Sequence, residues 1–264
     1  MESKRKLKTI ISIILAVLLG HFMVIGLSTL FSDQIASLIP NSIYRDLAVE
    51  AVWATVIMVC IFIFRKTGIF KISSAQMSDG MSAGLPLFIV YALFLPAGFY
   101  LNRDGKLVSA PEIIAFVLHC LLIGLVEEGL YRGVIQELFM KLWGGSDRKS
   151  AMKAILSTAV MFGLFHLFNL RKPGVSLAAV LVQAASAIAI GMLLGAIFYR
   201  SGRKIWPVLL LHALIDCAGF VVGGILHGKT QVDAVNTLDP RSLIMIPVYI
   251  GLALFLMRKR EGET

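Results

Sequence analysis

Charged residues are scarce in this sequence. Asp, Glu, Lys and Arg make up 16% of the 264 residues, hydrophobic residues make up 58%, and mean hydropathy is +0.83. Water-soluble globular proteins average roughly 45–50% apolar and about 25% charged residues. No polar stretch is long enough to form a soluble domain of roughly 50 residues. The composition therefore excludes a large soluble protein and indicates a single membrane-embedded domain.

Cysteine is also scarce, and repeats and low-complexity linkers are missing. The three cysteines, Cys60, Cys120 and Cys217, all lie inside apolar runs. In that setting cysteine is usually a small core residue rather than part of a disulfide or a metal site. The cysteines therefore indicate nothing about the redox compartment.

Long apolar runs are abundant. A stretch of about 17–25 apolar residues is long enough to cross a bilayer as a helix. The runs predict an all-α, polytopic membrane helical bundle with about eight transmembrane helices. They lie near 9–31, 46–64, 84–101, 111–130, 152–170, 175–199, 205–226 and 242–257.

The basic residues have a sided distribution. The net charge is +9, which in a soluble chain could indicate nucleic-acid binding. Here Lys and Arg fall mostly on alternate loops, and with eight spans most of them share the side that holds both termini. The positive-inside rule then predicts cytoplasmic termini. We expect a multi-pass plasma-membrane protein that contacts lipid and binds no nucleic acid; the sequence indicates no oligomeric state.

Polar residues inside the apolar runs are the most informative. A charged side chain in the middle of a span costs about 2.5–3.5 kcal/mol on insertion scales, so each charged residue found there is a candidate functional residue. Glu50, His21 and His119 lie outside any cluster. We interpret Glu50 as an interfacial residue or a partner for another helix, and the two histidines as hydrogen-bonded packing residues. Three clusters stand apart from them.

The first cluster is Glu127, Glu128 and Arg132. Glu128 and Arg132 are four residues apart with the acid first, the favourable order for an ion pair on one helix face. Glu127 points about 100° away on the helix and needs a different partner. A carboxylate without a matching cation in an apolar site can act as a general base or acid.

The other clusters centre on two histidines. Phe162 and Asn169 flank His166 at helical spacing, so an aromatic ring and an amide are available to fix the imidazole tautomer. Asp216 lies one turn after His212 and could orient that ring or share a proton with it. Each cluster alone could be a polar packing contact. Acids and histidines on three separate helices favour convergence on one site.

These motifs, in this order, resemble the CPBP family. Glu-Glu-x-x-x-Arg, Phe-x-x-x-His and His-x-x-x-Asp are similar to the motifs of type II CAAX prenyl proteases and of bacteriocin-processing and self-immunity proteins. The resemblance covers residues 111–225, and it implies a catalytic helical core there. Residues 1–110 are then N-terminal transmembrane helices, and 226–264 hold a C-terminal helix and a basic tail. The family implies an intramembrane endopeptidase.

The resemblance also implies residue roles. Glu127 would be the general base, and His166 would hold and polarise the attacking water. Glu128 and Arg132 would support them, with Phe162 and Asn169, and His212 would donate to the oxyanion. The resemblance implies no metal or cofactor.

The chain departs from the eukaryotic CAAX protease pattern at Asp216. That pattern has Asn there, and an ionised Asp accepts but cannot donate. We therefore expect Asp216 to orient His212. The expected substrate is a peptide or a lipidated protein, with a prenylated C-terminus as one candidate.

Two alternatives of other classes remain open. His166, His212 and a carboxylate could bind zinc, although the local signature His-Glu-x-x-His is missing. The chain could also be a non-catalytic scaffold, an immunity factor or a proton-coupled transporter that uses the same polar groups. Helix rise places Glu127 and His212 in the cytoplasmic half of the bilayer. We expect the site to open to that side or laterally to lipid.

Overall fold

The protein is helical throughout its described part. The computed structural model describes residues 2–101, 105–145, 147–172, 174–220, 225–226 and 240–258. These ranges contain ten α-helices and no β-strand, with one isolated bridge between Leu107 and Leu226. The predicted all-α membrane bundle is confirmed.

The helices follow the predicted apolar runs. Their bounds are α1 (Glu2–Leu38), α2 (Ser42–Ile63), α3 (Ser74–Ala83), α4 (Leu85–Leu101), α5 (Ala110–Glu128), α6 (Glu137–Trp143), α7 (Arg148–Phe165), α8 (Leu177–Arg200), α9 (Ile205–Gly219) and α10 (Pro240–Leu256). A π-helical segment, Gly129–Gln136, joins α5 to α6 without a break, and 3₁₀ segments occupy Thr67–Phe70 and His166–Arg171.

The predicted number of eight transmembrane helices is not confirmed. Four described helical stretches are long and apolar enough to cross a membrane: Ser42–Ile63, Ala110–Trp143, Arg148–Arg171 and Leu177–Arg200. There are five if α3 and α4, which meet at 66°, form one broken span. Within the described ranges, α9 is a shorter apolar helix. The rest of the predicted seventh span at 221–224 lies outside the described residues. The chain is a multi-pass membrane protein.

Side-chain caps fix where several helices begin. The side chains of Asn41, Asp147 and Ser176 accept hydrogen bonds from backbone N–H groups at the starts of α2, α7 and α8. Ser109 and Glu112 form a capping box at the start of α5. Each cap satisfies donors that the first helical turn cannot pair. The caps therefore set the register at which each helix presents its polar residues.

Small residues let the central helices approach closely. α5 packs against α2 and α9, and α8 packs against α7 and α10. At Gly124, a Cβ atom would lie 2.8 Å from the carbonyl oxygen of Leu209. The missing side chain allows the α5 backbone to contact α9, as small residues do in membrane helix pairs. This contact brings the acidic end of α5 close to His212.

We expect Gly124→Ala to destabilise the bundle. The added methyl group meets backbone of α9, which cannot rotate away, so the helices must separate. Overpacking of this kind costs about 1–3 kcal/mol of unfolding free energy. Gly251→Ala in α10 is the matched control, because a Cβ there meets no atom within 4 Å. The free energy of unfolding of both variants is measured in mixed micelles, with circular dichroism to monitor unfolding. Equal stability of the two variants would contradict the packing role of Gly124.

One end of the bundle is tied together by basic side chains. Lys66 and Arg203 lie 3.3 and 3.5 Å from the Glu137 carboxylate. Arg148 and Arg200 donate to backbone carbonyls at the end of α10, which satisfies acceptors that the last helical turn leaves unpaired. We call this the basic end; α1, α7 and α9 begin there, and α2, α8 and α10 end there.

Candidate active site

The acidic pair lies where α5 changes its helical form. Glu127 and Glu128 end α5, and the chain then widens into the π-helical segment Gly129–Gln136 before α6 begins. Short π-helical turns are rare and occur frequently at functional sites. The apolar run predicted to end at residue 130 therefore continues as one helical rod to Trp143.

Glu128 is a fully buried carboxylate held by an arginine. Arg132 Nη1 lies 2.9 Å from Glu128 Oε1, and the two side chains are 1% and 0% exposed. Arg132 also donates to the Gly191 carbonyl at 3.2 Å and lies over the Phe162 ring, 5.0 Å from its centroid. A buried charge needs such compensation. The ion pair predicted from the spacing is present.

His212 is oriented by Glu128 from a different helix. Its Nδ1 donates to Glu128 Oε1 at 2.6 Å. The other nitrogen, Nε2, lies 3.3 Å from Glu127 Oε2 and 3.7 Å from Asp216 Oδ2. Asp216 was expected to orient the ring, but the ring donates its short hydrogen bond to Glu128 instead. Glu128 thus links Arg132 to His212 as well as neutralising the arginine.

The arrangement around His212 Nε2 suits a shared proton. Ionised carboxylates only accept hydrogen bonds, and a neutral imidazole with a proton on Nδ1 has a lone pair on Nε2. Nε2 lies near the oxygens of Glu127 and Asp216, so a proton on Nε2 can be shared with these carboxylates. Groups that share one proton can accept and return it during a reaction.

His166 is fixed by the backbone of its own helix. It lies where α7 tightens into the 3₁₀ segment, and its Nδ1 is 2.9 Å from the Phe162 carbonyl. A carbonyl only accepts, so Nδ1 carries the proton and Nε2 is an acceptor. The Asn169 amide, expected to fix this tautomer, donates to Gln183 Oε1 at 2.8 Å.

A phenylalanine lies between the two histidines. The Phe162 ring centroid is 4.9 Å from that of His166 and 6.4 Å from that of His212, edge-on in both cases. Phe162 is itself buried. Because this apolar ring lies between the two imidazoles, both histidines can face one reacting group without forming a hydrogen bond to each other.

These residues border a cavity of about 890 Å³. Glu127, His166, His212 and Asp216 all line it, and the three predicted clusters are therefore brought together. The Glu127 side chain is 30% exposed, whereas that of Glu128 is 0% exposed. Glu127 is thus the member of the acidic pair that can contact a bound molecule.

The sequence missed two polar pairs on the cavity wall. His21 Nε2 accepts from the Tyr131 hydroxyl at 2.6 Å, and His119 Nε2 lies 3.8 Å from Glu50 Oε2. The sequence indicated hydrogen-bonded packing for His21 and His119, and an interfacial position or a partner on another helix for Glu50, but it did not identify the partners. In the sequence these residues have no local hydrogen-bonding partner. A polar side chain inside an apolar helix without such a partner predicts one on another helix.

A second contact between the π-helical segment and α8 was also missed. Gln136 Nε2 donates to the Gly195 carbonyl at 3.1 Å, one turn beyond the bond from Arg132 to Gly191. A Cβ at residue 195 would lie 2.8 Å from Gln136 Oε1, so glycine makes room for this bond. The two parallel bonds hold the segment that carries Arg132 in place.

The donor atoms of the described residues do not form a metal cage. Among the described side chains, no group of three or more His, Cys, Asp or Glu is arranged to hold a metal ion. One nitrogen of His212 is bound to Glu128, and one nitrogen of His166 is bound to a carbonyl. The cysteines Cys60, Cys120 and Cys217 are free, as predicted.

The cavity extends from the carboxylates towards the end opposite the basic end. Its outer part is lined by Arg45 and Asp46 at the start of α2, by Lys172 after α7, and by Phe220 after α9; we call these four residues the rim. The sequence predicted an opening towards the basic end or laterally to lipid. This stays a prediction, because helix rise locates a residue in depth but gives no information on where the helices diverge.

A comparison with known families agrees with this geometry. Residues 109–218 match the family model described as type II CAAX prenyl endopeptidase Rce1-like. The match covers α5 to α9 nearly completely, and these helices carry Glu127, His166 and His212. It confirms the resemblance to the CPBP family, whose CAAX proteases are peptide hydrolases. No curated protein matches the chain.

Proposed function

We propose that this member of the CPBP family, assigned through residues 109–218, is an intramembrane endopeptidase that hydrolyses a peptide bond in a membrane-associated substrate. It would reside in the plasma membrane with both termini in the cytoplasm. The observation that carries the proposal is the cavity-facing Glu127 carboxylate beside His212 Nε2, at 3.3 Å, with His166 on the same cavity wall.

The tautomers support a water-activating role. An acceptor at His166 Nε2 and an acceptor at Glu127 can each take one hydrogen of a single water molecule, which leaves an oxygen lone pair for attack. Glu127 would take one proton as the oxygen bonds to the substrate carbonyl carbon. The carbonyl π electrons would move to the oxygen, and the C–N bond would break after Glu127 returns the proton to the nitrogen.

His212 would stabilise the charge that develops on the substrate oxygen. Its position is fixed by Glu128 at 2.6 Å, so an Nε2–H could donate without further reorganisation. Preorganised donors of this kind usually supply a large share of the rate enhancement in acyl transfer. Asp216, 3.7 Å away, would hold the imidazolium during this step.

Substitution of His166 tests the proposal. Purified protein in lipid is incubated with quenched fluorescent peptides, both farnesylated and unmodified. We expect turnover by the wild type, and a loss of roughly 10²–10⁴-fold in kcat for His166→Ala, the range of a general acid–base contribution. His119→Gln is the matched histidine control and should lose less than about tenfold. Equal losses would refute the assignment, and His166→Ala with full turnover would exclude His166 from the reaction.

We expect catalysis to be independent of a metal. His212 Nδ1 is occupied by its hydrogen bond to Glu128, and no described group of three or more His, Cys, Asp or Glu is arranged to hold a metal ion. Incubation with EDTA and 1,10-phenanthroline should leave turnover within about twofold, against the several kcal/mol that a catalytic metal contributes. Loss of activity that one equivalent of zinc restores would instead establish the metalloprotease alternative.

A further inference from the structure

Two amide side chains form a hydrogen-bonded pair on the cavity wall beside His166. Asn169 lies in the 3₁₀ segment after α7, Gln183 lies in α8, and both line the cavity. The Asn169 side-chain N–H donates to Gln183 Oε1 at 2.8 Å. We call Asn169 and Gln183 the amide pair. The Phe162 carbonyl, rather than Asn169, fixes the tautomer of His166, so the amide pair has no part in the proposed mechanism.

A close approach of α7 and α8 holds the amide pair in place. At Gly163, a Cβ atom would lie 2.6 Å from the carbonyl oxygen of Ala184, so the missing side chain allows the two backbones to touch. Ala184 directly follows Gln183, and the 3₁₀ segment that carries Asn169 continues from α7. The position of the amide pair is therefore set by helix packing and does not depend on a bound molecule.

A single hydrogen bond leaves part of the capacity of both amides unused. Each side-chain amide carries an NH₂ donor and a carbonyl acceptor. Among the described residues, no hydrogen bond occupies Asn169 Oδ1 or Gln183 Nε2. Both residues are only partly buried, and neither atom belongs to the buried side-chain atoms that lack a partner. The amide pair therefore offers the cavity one accessible acceptor and one accessible donor.

Helix packing alone does not explain an accessible donor and acceptor. Polar side chains that only join membrane helices lie between them, and buried polar groups are nearly always paired. A residue in an extended peptide presents the complementary set, because its own N–H and C=O point to the same side of the chain. The backbone of an extended substrate therefore matches the amide pair.

The amide pair lies about two residues of extended chain away from His166. Asn169 is three residues after His166 in the 3₁₀ segment, and residues at this spacing lie on one face of a 3₁₀ helix. The 3₁₀ rise of about 2.0 Å per residue gives a step of about 6 Å. Two residues of extended peptide cover about 6.6–7.2 Å. A peptide bond held for attack beside His166 therefore brings the backbone two residues away to the amide pair.

We propose that the amide pair binds the substrate backbone at the residue two positions from the scissile bond. The proposal rests on the proposed peptidase function and deepens it. Asn169 Oδ1 accepts the N–H of that residue, and Gln183 Nε2 donates to its C=O. The substrate is then bound as an extended chain, and the amide pair does not recognise the side chain at that position. Proline, which has no backbone N–H, is disfavoured there.

Backbone ester substitution tests the proposal. A peptide that the purified wild type cleaves in lipid is compared with analogues in which one backbone N–H, away from the scissile bond, is replaced by oxygen. Mass spectrometry identifies the products. For the wild type, we expect the ester two residues from the scissile bond to lower kcat/KM about fivefold or more, because it leaves Asn169 Oδ1 without a donor. In Asn169→Leu, the values of kcat/KM for the parent peptide and this analogue should lie within about twofold of each other.

Further variants separate backbone binding from folding. Asn169→Asp keeps an acceptor and should keep the wild-type loss for the ester analogue. Gln183→Leu should lower kcat/KM for the parent peptide about fivefold or more, because the substrate C=O loses its donor. Gln34→Leu, at an exposed position in α1, is the matched control and should stay within about twofold of the wild type. A general loss of folded protein would lower the rates for parent and analogue alike and leave their ratio unchanged.

The outcomes distinguish the amide pair from the peptidase function. An equal ester loss in the wild type and in Asn169→Leu, or no loss for the ester two residues from the scissile bond, would overturn the proposal. Equal turnover of the parent peptide by Gln183→Leu and Gln34→Leu would overturn the donor role of Gln183. The absence of any Glu127-dependent cleavage of peptides by the wild type would instead refute the peptidase function on which the proposal rests.

Discussion

Glu127→Gln is expected to abolish peptide hydrolysis while the protein stays folded. Gln keeps the shape of the side chain and can still contact His212 Nε2, which lies 3.3 Å from the carboxylate. It cannot take a proton from water, so the general-base contribution of roughly 10²–10⁴-fold is lost from kcat. KM should change little, because the substitution removes an interaction of the transition state. Single-turnover cleavage in lipid measures the effect.

Glu112→Gln is the matched control on the same helix. Glu112 lies at the capped start of α5, where its oxygens accept from Ser109 and from Asn41, far from the cavity floor. Gln keeps one acceptor oxygen, so kcat should stay within about twofold, the range of an ordinary surface substitution. Glu127→Gln with full turnover would remove Glu127 from the mechanism. Loss of turnover in both variants would indicate that α5 is sensitive to any substitution, and it would give no support to a role of Glu127 in the reaction.

The second large effect is expected on stability, from Arg132→Met. The side chains of Arg132 and Glu128 are 1% and 0% exposed, so the variant leaves a carboxylate buried without its cation. Breaking a buried ion pair on one side costs about 3–5 kcal/mol. Unfolding in mixed micelles, followed by circular dichroism, measures the loss. Lys66→Met is the control, because Glu137 loses Lys66 but keeps Arg203 at 3.5 Å, so it should cost less than Arg132→Met.

A double variant separates charge burial from packing. Glu128→Gln combined with Arg132→Met removes both charges, and replacing both members of a buried pair is often close to neutral. We expect the double variant to recover most of the lost stability. It should still be impaired in turnover, because the neutral amide that replaces the Glu128 carboxylate cannot hold His212 through a charged hydrogen bond. A double variant as unstable as Arg132→Met would show that shape, not charge, matters at this position.

The residues that form the site could be identified from the sequence alone. Charges and histidines are costly inside apolar helices, so Glu127, His166 and His212 stood out without any knowledge of the fold. The Glu128–Arg132 ion pair followed from helix periodicity, because residues four apart share a face in any α-helix. The helical class and the sided distribution of basic residues were equally apparent in the sequence.

The contacts among these residues depend on the tertiary structure. Glu128 rather than Asp216 orients His212, and a backbone carbonyl rather than Asn169 fixes His166. The pairing of Glu50 with His119 also depends on which faces of α2 and α5 meet.

The extent of the cavity was likewise a property of the tertiary structure. Helix rise and periodicity are local and constant, so the sequence reveals depth along a helix and the face on which a residue lies. Where two helices approach or diverge depends on packing at points such as Gly124 against Leu209, between residues distant in sequence. Crossings of this kind pack Ile57, Ile61 and Ile205 around Gly129 and determine how far the cavity extends, and no local pattern in the sequence specifies them.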